Sequence, residues 1–345
     1  MGYESCTKPK HRKQGVREES MNRREFIVFG GTAGLLVSTG ISFAQDSWPT
    51  RAATVISAYP PGGTSDILAR LVADVLTAQY QQQFVLENVA GAAGALAGGK
   101  LARSAPDGYT IMVTGSAPLA ANKVVQTNLA YDPEADFEPI MLLAESPALL
   151  SASNNAPAKS VQELIAYAKA NPGQVNIGNP GAGTKGHICA AILGRMAGID
   201  INHVPYKGSS PLVADLLGGH IDFALDAPSN YIPHIKGGKV QALAVTSSER
   251  LAEIPDVPTV AEQGLDGYEQ TLWFGVVGPK GMPVEIVDKL NRTLKDWGNT
   301  PKAQELLSSI GVKPVLSTPG ELQEAMAKEI AAIRPLVETG LVQPS

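Results

Sequence analysis

The sequence has 345 residues, of which 44% are hydrophobic and 18% are charged. This length and composition predict a soluble globular protein of about two domains. The formal net charge is −5, which argues against a nucleic-acid partner, since such a partner requires a basic surface.

The first 44 residues predict an export signal that is not part of the fold. An Arg-Arg-x-Phe motif at 23–26 precedes an apolar, glycine-containing run at 27–43, and small residues fit a cleavage site after Ala44. The motif resembles a twin-arginine signal, and the run is too short and too rich in glycine for a membrane anchor. We therefore expect a periplasmic protein, with residues 1–20 as an extension upstream of the signal.

Cleavage would change both the charge and the cysteine content. Residues 1–44 hold seven Lys or Arg and four Glu, so their removal takes the formal charge from −5 to −8. An acidic protein binds an anion through local dipoles, because its overall field has the wrong sign. Only Cys189 remains, which excludes an intrachain disulfide. The histidine spacings fit no metal motif, and we expect neither metal nor cofactor.

From residue 47 onward, strand patterns alternate with helical patterns, which predicts parallel strands joined by helical crossovers. In such sheets ligands bind beyond the carboxyl ends of the strands. The loops at 59–66, 88–94 and 115–122 lie at predicted strand ends.

The loop at 59–66 is the first candidate binding site. A strand pattern stops at Pro60 and a helical pattern starts after residues 64–66. A helix start leaves backbone N–H groups unpaired at the positive end of a dipole, so it binds an anion without Lys or Arg. A plain structural turn fits the same pattern, with Asp66 as an N-cap. We expect Gly63 to need the conformational freedom of glycine. The candidate ligand-binding residues are Tyr59, Pro61, Gly62, Gly63, Thr64 and Asp66.

A second strand, glycine loop and helix follow at 175–196. The loop matches G-x-G-x-x-G at 181–186, with Asp200 as the acid that a dinucleotide site requires. A dinucleotide-dependent oxidoreductase is therefore an alternative. However, Asp200 precedes its strand instead of ending it, so an anion-binding helix start without nucleotide fits better. The candidate ligand-binding residues are Gly181, Ala182, Gly183, Thr184 and His187.

Two such units predict two lobes. The last helices have no glycine loops and are expected to return to the first lobe, which would then comprise 47–146 and 272–345, with 147–271 as the second lobe. Ser116, Asp226 and Trp273 follow or lie in predicted strands, where they could contact a ligand; a loop cap for Asp226 and a core position for Trp273 are equally consistent. No serine lies in a G-x-S-x-G elbow, and we expect no catalysis.

Several motifs together resemble the Bug receptors, the extracytoplasmic solute-binding components of tripartite tricarboxylate transporters. The similarity runs in order through essentially all of 47–345. The motifs are YPPGGTSDILAR at 59–70, ENVAGAAG at 87–94, PDGYT at 106–110, VPYKG at 204–208, LLGGHID at 216–222, PDVPT at 255–259 and WFGVVGP at 273–279.

The resemblance implies an α/β fold of the two-lobe type II periplasmic binding proteins, with a mostly parallel, helix-flanked sheet in each lobe and the ligand in the cleft between them. It implies that backbone N–H groups of loops 59–66 and 181–187 hold a carboxylate. The expected ligand is a di- or tricarboxylate, an aromatic carboxylate or an acidic amino acid. The expected protein is a monomer that delivers it to a membrane permease; a sensor with a signalling partner is the other option. Ala93 and residues 115–118 depart from the family pattern.

Overall fold

The computed structural model describes residues 48–344, so the export signal expected over residues 1–44 lies outside the described part of the chain. Strands and helices alternate through most of this part. None of the helices in residues 48–344 combines the length and apolarity needed to cross a membrane.

The strands are short, as is usual for α/β proteins. They are β1 (Ala53–Ser57), β2 (Phe84–Asn88), β3 (Thr110–Gly115), β4 (Phe137–Pro147), β5 (Leu149–Ser153), β6 (Asn176–Asn179), β7 (Asn202–Pro205), β8 (Phe223–Asp226), β9 (Val240–Val245), β10 (Thr271–Pro279) and β11 (Lys313–Pro314).

The helices range from one turn to more than five turns. They are α1 (Thr64–Tyr80), α2 (Ala95–Ala102), α3 (Asn122–Val125), α4 (Pro133–Asp136), α5 (Val161–Ala170), α6 (Lys185–Ala197), α7 (Ser209–Gly218), α8 (Ile232–Lys236), α9 (Val284–Gly298), α10 (Pro301–Ser309) and α11 (Pro319–Glu338).

The strands form two sheets. The first has the order β11-β4-β10-β3-β1-β2, and the second has the order β7-β6-β8-β5-β9. In the first sheet β1 pairs in parallel with β2 and β3, and in the second β6 pairs in parallel with β7 and β8. The remaining pairs are antiparallel. The two-lobe α/β fold is confirmed, but both sheets are mixed where mostly parallel sheets were expected.

The route of the chain between the sheets explains the antiparallel pairs. The chain leaves the first sheet along β4, and Ala148 alone separates this strand from β5 in the second sheet. It returns along β10, which lies beside β4. An outgoing strand and a returning neighbour must run in opposite directions, and β5 and β9 repeat this relation in the second sheet.

The helices pack on the sheets through their apolar faces. In α1, Leu68, Val72 and Leu76 recur at every fourth position and are fully buried against the first sheet. In α6, Gly186 allows a close approach to the second sheet, because a Cβ atom there would lie 2.2 Å from the carbonyl oxygen of Leu225. We propose that the lobes divide as the sequence suggests, near 146 and 272, since sheet membership changes at these points.

The two lobes touch through an apolar contact as well as through the connecting strands. Ile188 and Ala191 of α6, on the second sheet, pack into one buried cluster with Ile333 and Leu336 of α11, on the first sheet. Val125 of α3 belongs to the same cluster. The structure therefore has its lobes closed against each other.

Candidate functional site

A cleft lies between the sheets, at the carboxyl ends of the parallel strands of both. Helix starts supply most of its polar groups, and aromatic side chains of the first lobe form an apolar wall. The lining residues are Tyr59, Gly63, Thr64, Ser65, Gly115, Ser116, Ala117, Pro180, Thr184, Lys185, Ser209, Asp226, Ala227, Leu272, Trp273 and Phe274.

The loop before α1 contains two glycines in different conformations. Gly62 has φ +92°, a left-handed conformation that favours glycine. Gly63 is extended, with φ −82° and ψ 166°. The expectation that Gly63 needs the freedom of glycine is therefore wrong, because the unusual backbone angle lies one residue earlier. Asp66 holds this turn: its carboxylate accepts the N–H of Gly62 at 2.9 Å and Nδ2 of Asn88 at 2.8 Å.

The loop before α6 is also held by side chains of its own helix start. The Thr184 hydroxyl donates to the carbonyl oxygen of Gly181 at 2.7 Å, and the N–H of Gly183 donates to Nδ1 of His187 at 3.0 Å. The His187 ring lies edge-on to His203, with the ring centroids 4.6 Å apart. Burial, followed by the neighbouring His203, lowers the pKa of His187 to about 4, so that its ring is neutral and able to accept this bond.

A third helix start reaches the cleft at α7, preceded by Gly208 with φ +110°. Ser209, the first residue of α7, lines the cleft. Its neighbour Ser210 donates through Oγ to the carbonyl oxygen of Pro61, in the other lobe, at 2.6 Å. The ligand was expected at the starts of α1 and α6 and not at this third helix start.

The three helices that start at the cleft have no side-chain N-cap. Elsewhere, α5, α10 and α11 are capped by Ser160, Thr300 and Thr318 respectively. α2, α3, α8 and α9 are also uncapped, but they contribute no residue to the cleft. The helix starts at the cleft therefore leave backbone N–H groups available to an anion, at the positive ends of three dipoles.

Two ionised side chains, Lys185 and Asp226, line the cleft, and only Lys185 has an ion-pair partner among residues 48–344. Lys185 donates through Nζ to both carboxylate oxygens of Glu329, at 3.1 and 3.3 Å, across the two lobes. Both side chains are nearly buried, with 13% and 10% of their area exposed. The Lys185 charge is thus matched by a residue outside the cleft wall.

Among residues 48–344, the hydrogen bonds to Asp226, at the end of β8, come from neutral donors. Its Oδ1 accepts the N–H of Ala227 at 2.7 Å and its Oδ2 accepts the Tyr231 hydroxyl at 3.4 Å. Burial raises the pKa of Asp226 to about 6, and the hydroxyls of Ser209 and Tyr231 and the Ala227 N–H counteract part of this shift. Between residues 48 and 344, no Lys, Arg or His forms an ion pair with it.

A second cavity adjoins the cleft and shares Tyr59 and Pro180 with it. One wall is the loop at 91–94, in which Ala92 and Ala93 have φ +47° and +48°. Alanine costs about 1–2 kcal/mol in this conformation, so the loop is strained at the edge of the cleft.

The structure sorts the residues predicted to bind a ligand into three groups. One group lines the cleft: Tyr59, Gly63, Thr64, Ser116, Thr184, Asp226 and Trp273. A second lines the adjoining cavity: Gly181 and Ala182. A third lines neither and includes side chains that hold the loops: Pro61, Gly62, Asp66, Gly183 and His187.

Sequence reasoning missed several lining residues. Ser65, Lys185 and Leu272 lie beside predicted positions, whereas Ser209 comes from another element. The Gly208-Ser209 step after β7 repeats the strand, glycine and helix pattern and is the signal that could have placed the start of α7 at the cleft. Among residues 48–344, no group of three or more His, Cys, Asp or Glu could hold a metal ion.

The comparison with protein families identifies the chain directly. Residues 68–340 match the model of the tripartite tricarboxylate transporter family receptor. The chain is 34% identical to BugT of Bordetella pertussis over 304 residues, which cover 88% of this chain and 92% of BugT.

Solved structures agree with this assignment. Rpa4515 of R. palustris, solved with adipate, is 36% identical and superposes with a TM-score of 0.84, covering 86% of this chain and 100% of that one. The periplasmic binding protein BugD is 32% identical, with a TM-score of 0.81 over 86% of this chain and 99% of BugD. The chain therefore belongs to the tripartite tricarboxylate transporter family of receptors, as a Bug receptor.

Proposed function

We propose that the protein captures a small carboxylate in the cleft and delivers it to the membrane permease of a tripartite tricarboxylate transporter. The observation that carries the proposal is the convergence of three uncapped helix starts on a cleft whose walls contain no arginine. Such starts bind a carboxylate through N–H groups and dipoles. The relative Rpa4515, which was solved with adipate, supports a carboxylate ligand.

In the proposed mechanism each lobe contributes part of the anion site. The starts of α1 and α6 face the cleft from opposite lobes, and no residue between 48 and 344 accepts the N–H groups of Thr64, Ser65 or Lys185. Both sets of donors reach the ligand together only when the lobes are closed. The carboxylate thus stabilises the closed form, and the Trp273 and Phe274 rings offer an apolar wall to its carbon chain.

The residues proposed to touch the ligand are those of the predicted set that line the cleft. Five of them place a hydroxyl, backbone N–H or carboxylate at the cavity and two supply aromatic surface. They are Gly63, Thr64, Ser116, Thr184, Asp226, Tyr59 and Trp273.

We further propose that the protein is exported by its twin-arginine-like signal, works as a monomer and performs no catalysis.

The dinucleotide alternative, which uses Gly181–Gly186, finds no support in the placement of Asp200, an exposed residue ahead of β7. A titration with NAD(P) tests it, and saturable binding would favour the enzyme. A signalling partner in place of the permease is tested by co-purification with the permease subunits.

A thermal-shift screen over organic acids tests the ligand class. A bound carboxylate at 100 times its Kd should stabilise the protein by about 2.7 kcal/mol. If sugars, metal ions or amines shift the melting temperature and carboxylates do not, the proposal is wrong.

Two variants test the helix-start mechanism. Gly63 is extended, and a Cβ atom there would lie 3.7 Å from the nearest atom, Oγ of Ser209, so Gly63→Asp fits the backbone. Its carboxylate would cap α1 and occupy the anion site, so we expect a loss of affinity of at least about 100-fold with little loss of stability. Arg70 is exposed, pairs with Asp66 and does not line the cleft, so Arg70→Ala should bind normally. Loss of binding in Arg70→Ala alone would contradict the mechanism.

A further inference from the structure

The cavity that adjoins the cleft has an electrostatic character of its own. The loop at 91–94 of the first lobe and the segments 180–182 and 205–208 of the second lobe line it. Lys207 is the charged residue among the described residues of this wall, and none of them is Asp or Glu. The cavity therefore offers a positive charge and no negative one.

Lys207 is an unpaired cation on a backbone that is held in place. Among residues 48–344, no Asp or Glu forms an ion pair with it. The Tyr206 N–H donates to the carbonyl oxygen of Asn179 at 2.9 Å. The Gly208 N–H donates to the carbonyl oxygen of Pro180 at 3.0 Å. Lys207 is exposed, so its ammonium can turn to an anion in the cavity without breaking an ion pair.

The wall from the first lobe adds backbone donors. Gln126 donates through Nε2 to the carbonyl oxygen of Ala92 at 2.7 Å, and Asn122 donates through Nδ2 to that of Ala93 at 3.2 Å. No residue between 48 and 344 accepts the N–H groups of Ala92 and Ala93. Successive N–H groups in a turn form a concavity that binds anions. The carbonyl groups of this loop are thus satisfied, and its donors are available.

The charges of the cleft make the adjoining cavity the better place for a second carboxylate. In the cleft, Lys185 is paired with Glu329, and Asp226 lies at a helix start, where Ser209 donates to it. A second carboxylate there would meet a neutralised cation and a like charge. Beside Lys207 it would instead form charge-assisted hydrogen bonds.

We propose that the adjoining cavity is a second anion subsite, in which Lys207 and the N–H groups of Ala92 and Ala93 hold the far carboxylate of an elongated dicarboxylate. The near carboxylate lies at the helix starts, and the carbon chain passes Tyr59 and Pro180, which line both spaces. This rests on the proposed function and narrows the ligand to acids long enough to reach both sites. Lys207 is the specificity-determining residue for the far end.

The wild-type test compares acids of three lengths at about pH 8, where they are ionised. Succinate, adipate and suberate are each set against the monocarboxylate of the same length, and calorimetry gives each Kd. At the length that spans the two sites, the dicarboxylate should bind at least about tenfold more tightly than its monocarboxylate. This ratio should be largest for adipate or suberate, because the far carboxylate must pass Tyr59 to reach Lys207.

Lys207→Met removes the charge from the cavity and keeps an unbranched side chain. It should bring the ratio to within about threefold of unity and change the Kd of the monocarboxylate by less than about threefold. Lys169→Met is the matched control, an exposed lysine in the last turn of α5 that lines neither space. It should leave the ratio unchanged.

Lys207→Glu separates recognition of the far end from a structural role. The reversed charge should repel the second carboxylate and attract an ammonium group, so the preference should move from adipate towards 6-aminohexanoate. We expect the ratio of the Kd of adipate to that of 6-aminohexanoate to rise by at least about tenfold over wild type. General damage to the cleft would weaken both ligands and leave this ratio unchanged.

The outcomes distinguish this inference from the proposed function. If monocarboxylates bind as well as dicarboxylates at every length, or if the ratio is largest for succinate, the inference is wrong and the carboxylate receptor stands. An unchanged ratio in Lys207→Met leads to the same conclusion. If neither series binds, the inference is also wrong, and the thermal-shift screen over organic acids decides the proposed function. The wild-type ratios need no variant, so they decide the matter even if a variant does not fold.

Discussion

Single glycines position the helix starts on the cleft, and Gly186 is the most constrained of them. A Cβ atom there would meet a backbone carbonyl at 2.2 Å, and backbone cannot move aside cheaply. We expect Gly186→Ala to lower the free energy of unfolding by about 1–3 kcal/mol, the usual range for overpacking, and to weaken ligand binding by displacing α6. Urea unfolding and calorimetry measure the two effects.

Gly320, in the first turn of α11, is the matched control. It has ordinary backbone angles, and a Cβ atom there would meet nothing within 4 Å. Gly320→Ala should therefore be neutral or stabilise the protein slightly. Equal destabilisation by the two substitutions would contradict the packing argument.

Two buried groups near the cleft should have opposite effects on the pH dependence of stability. The pKa of His187 falls from 6.5 to about 4 on folding, so its contribution is complete above pH 6.5 and is lost as the pH falls to 4. The pKa of Asp226 rises from 3.8 to about 6, so its contribution is complete below pH 3.8 and is lost as the pH rises through 6.

Removing either group should leave the other group's contribution to the pH dependence of stability. Between about pH 7.5 and 4.5, His187→Asn should reduce the loss of stability on acidification, and Asp226→Asn should increase it, each by at most about 3 kcal/mol. Asparagine can still accept the Gly183 N–H in place of the imidazole. Urea unfolding across this pH range is the measurement. Identical pH profiles for wild type and both variants would show that neither group is perturbed as described.

At the scale of elements, α11 shows what a cap contributes to a helix that does not line the cleft. Thr318 and Glu321 form a capping box at the start of α11: the Glu321 N–H donates to Thr318 Oγ1 at 3.3 Å and the Thr318 N–H donates to Glu321 Oε2 at 2.7 Å. Thr318→Ala should cost about 1 kcal/mol of unfolding free energy without changing ligand affinity. Ser309→Ala, on an exposed hydroxyl that caps no helix start, should cost less than about 0.5 kcal/mol.

Local patterns predicted most elements because strands, glycine turns and helix starts each have a signature within a few residues. A loop is expected at 115–122, but the structure has a helical turn at 117–121 followed by α3. Proline fits the first turn of a helix, so Pro118 is compatible with this turn. The mixed sheet pairing follows from the route between lobes, which no local pattern shows.

Part of the candidate site could also be predicted, because glycine loops and helix starts have local signatures in the sequence. The loops before α1 and α6 carry glycines that any reader of the sequence can find. Which of their residues face the cleft depends on tertiary packing: His187 has ligand-like chemistry, yet it holds the loop. The pairing of Lys185 with Glu329 joins residues 144 positions apart and leaves no trace in sequence spacing.

For the whole molecule, the Lys185–Glu329 pair is an ion pair that links the lobes beside the cleft. Removing one partner leaves a nearly buried charge without its counterpart, which typically costs 3–5 kcal/mol. We expect Lys185→Met to destabilise the closed form by about 2–4 kcal/mol, and Lys185→Met with Glu329→Met to recover most of that loss. A double-mutant cycle by urea unfolding measures the coupling, and additive effects would show that the pair is not energetically linked.

The apolar contact between α6 and α11 also makes the calorimetry of binding informative. A receptor that opens to admit its ligand exposes Ile188, Ala191, Ile333 and Leu336 to water, and closure removes this surface again. Burial of apolar area lowers the heat capacity, so the enthalpy of binding should become more negative with rising temperature. The slope should exceed what the ligand's own surface can supply, whereas a slope near zero would mean that the lobes stay together when the cleft is empty.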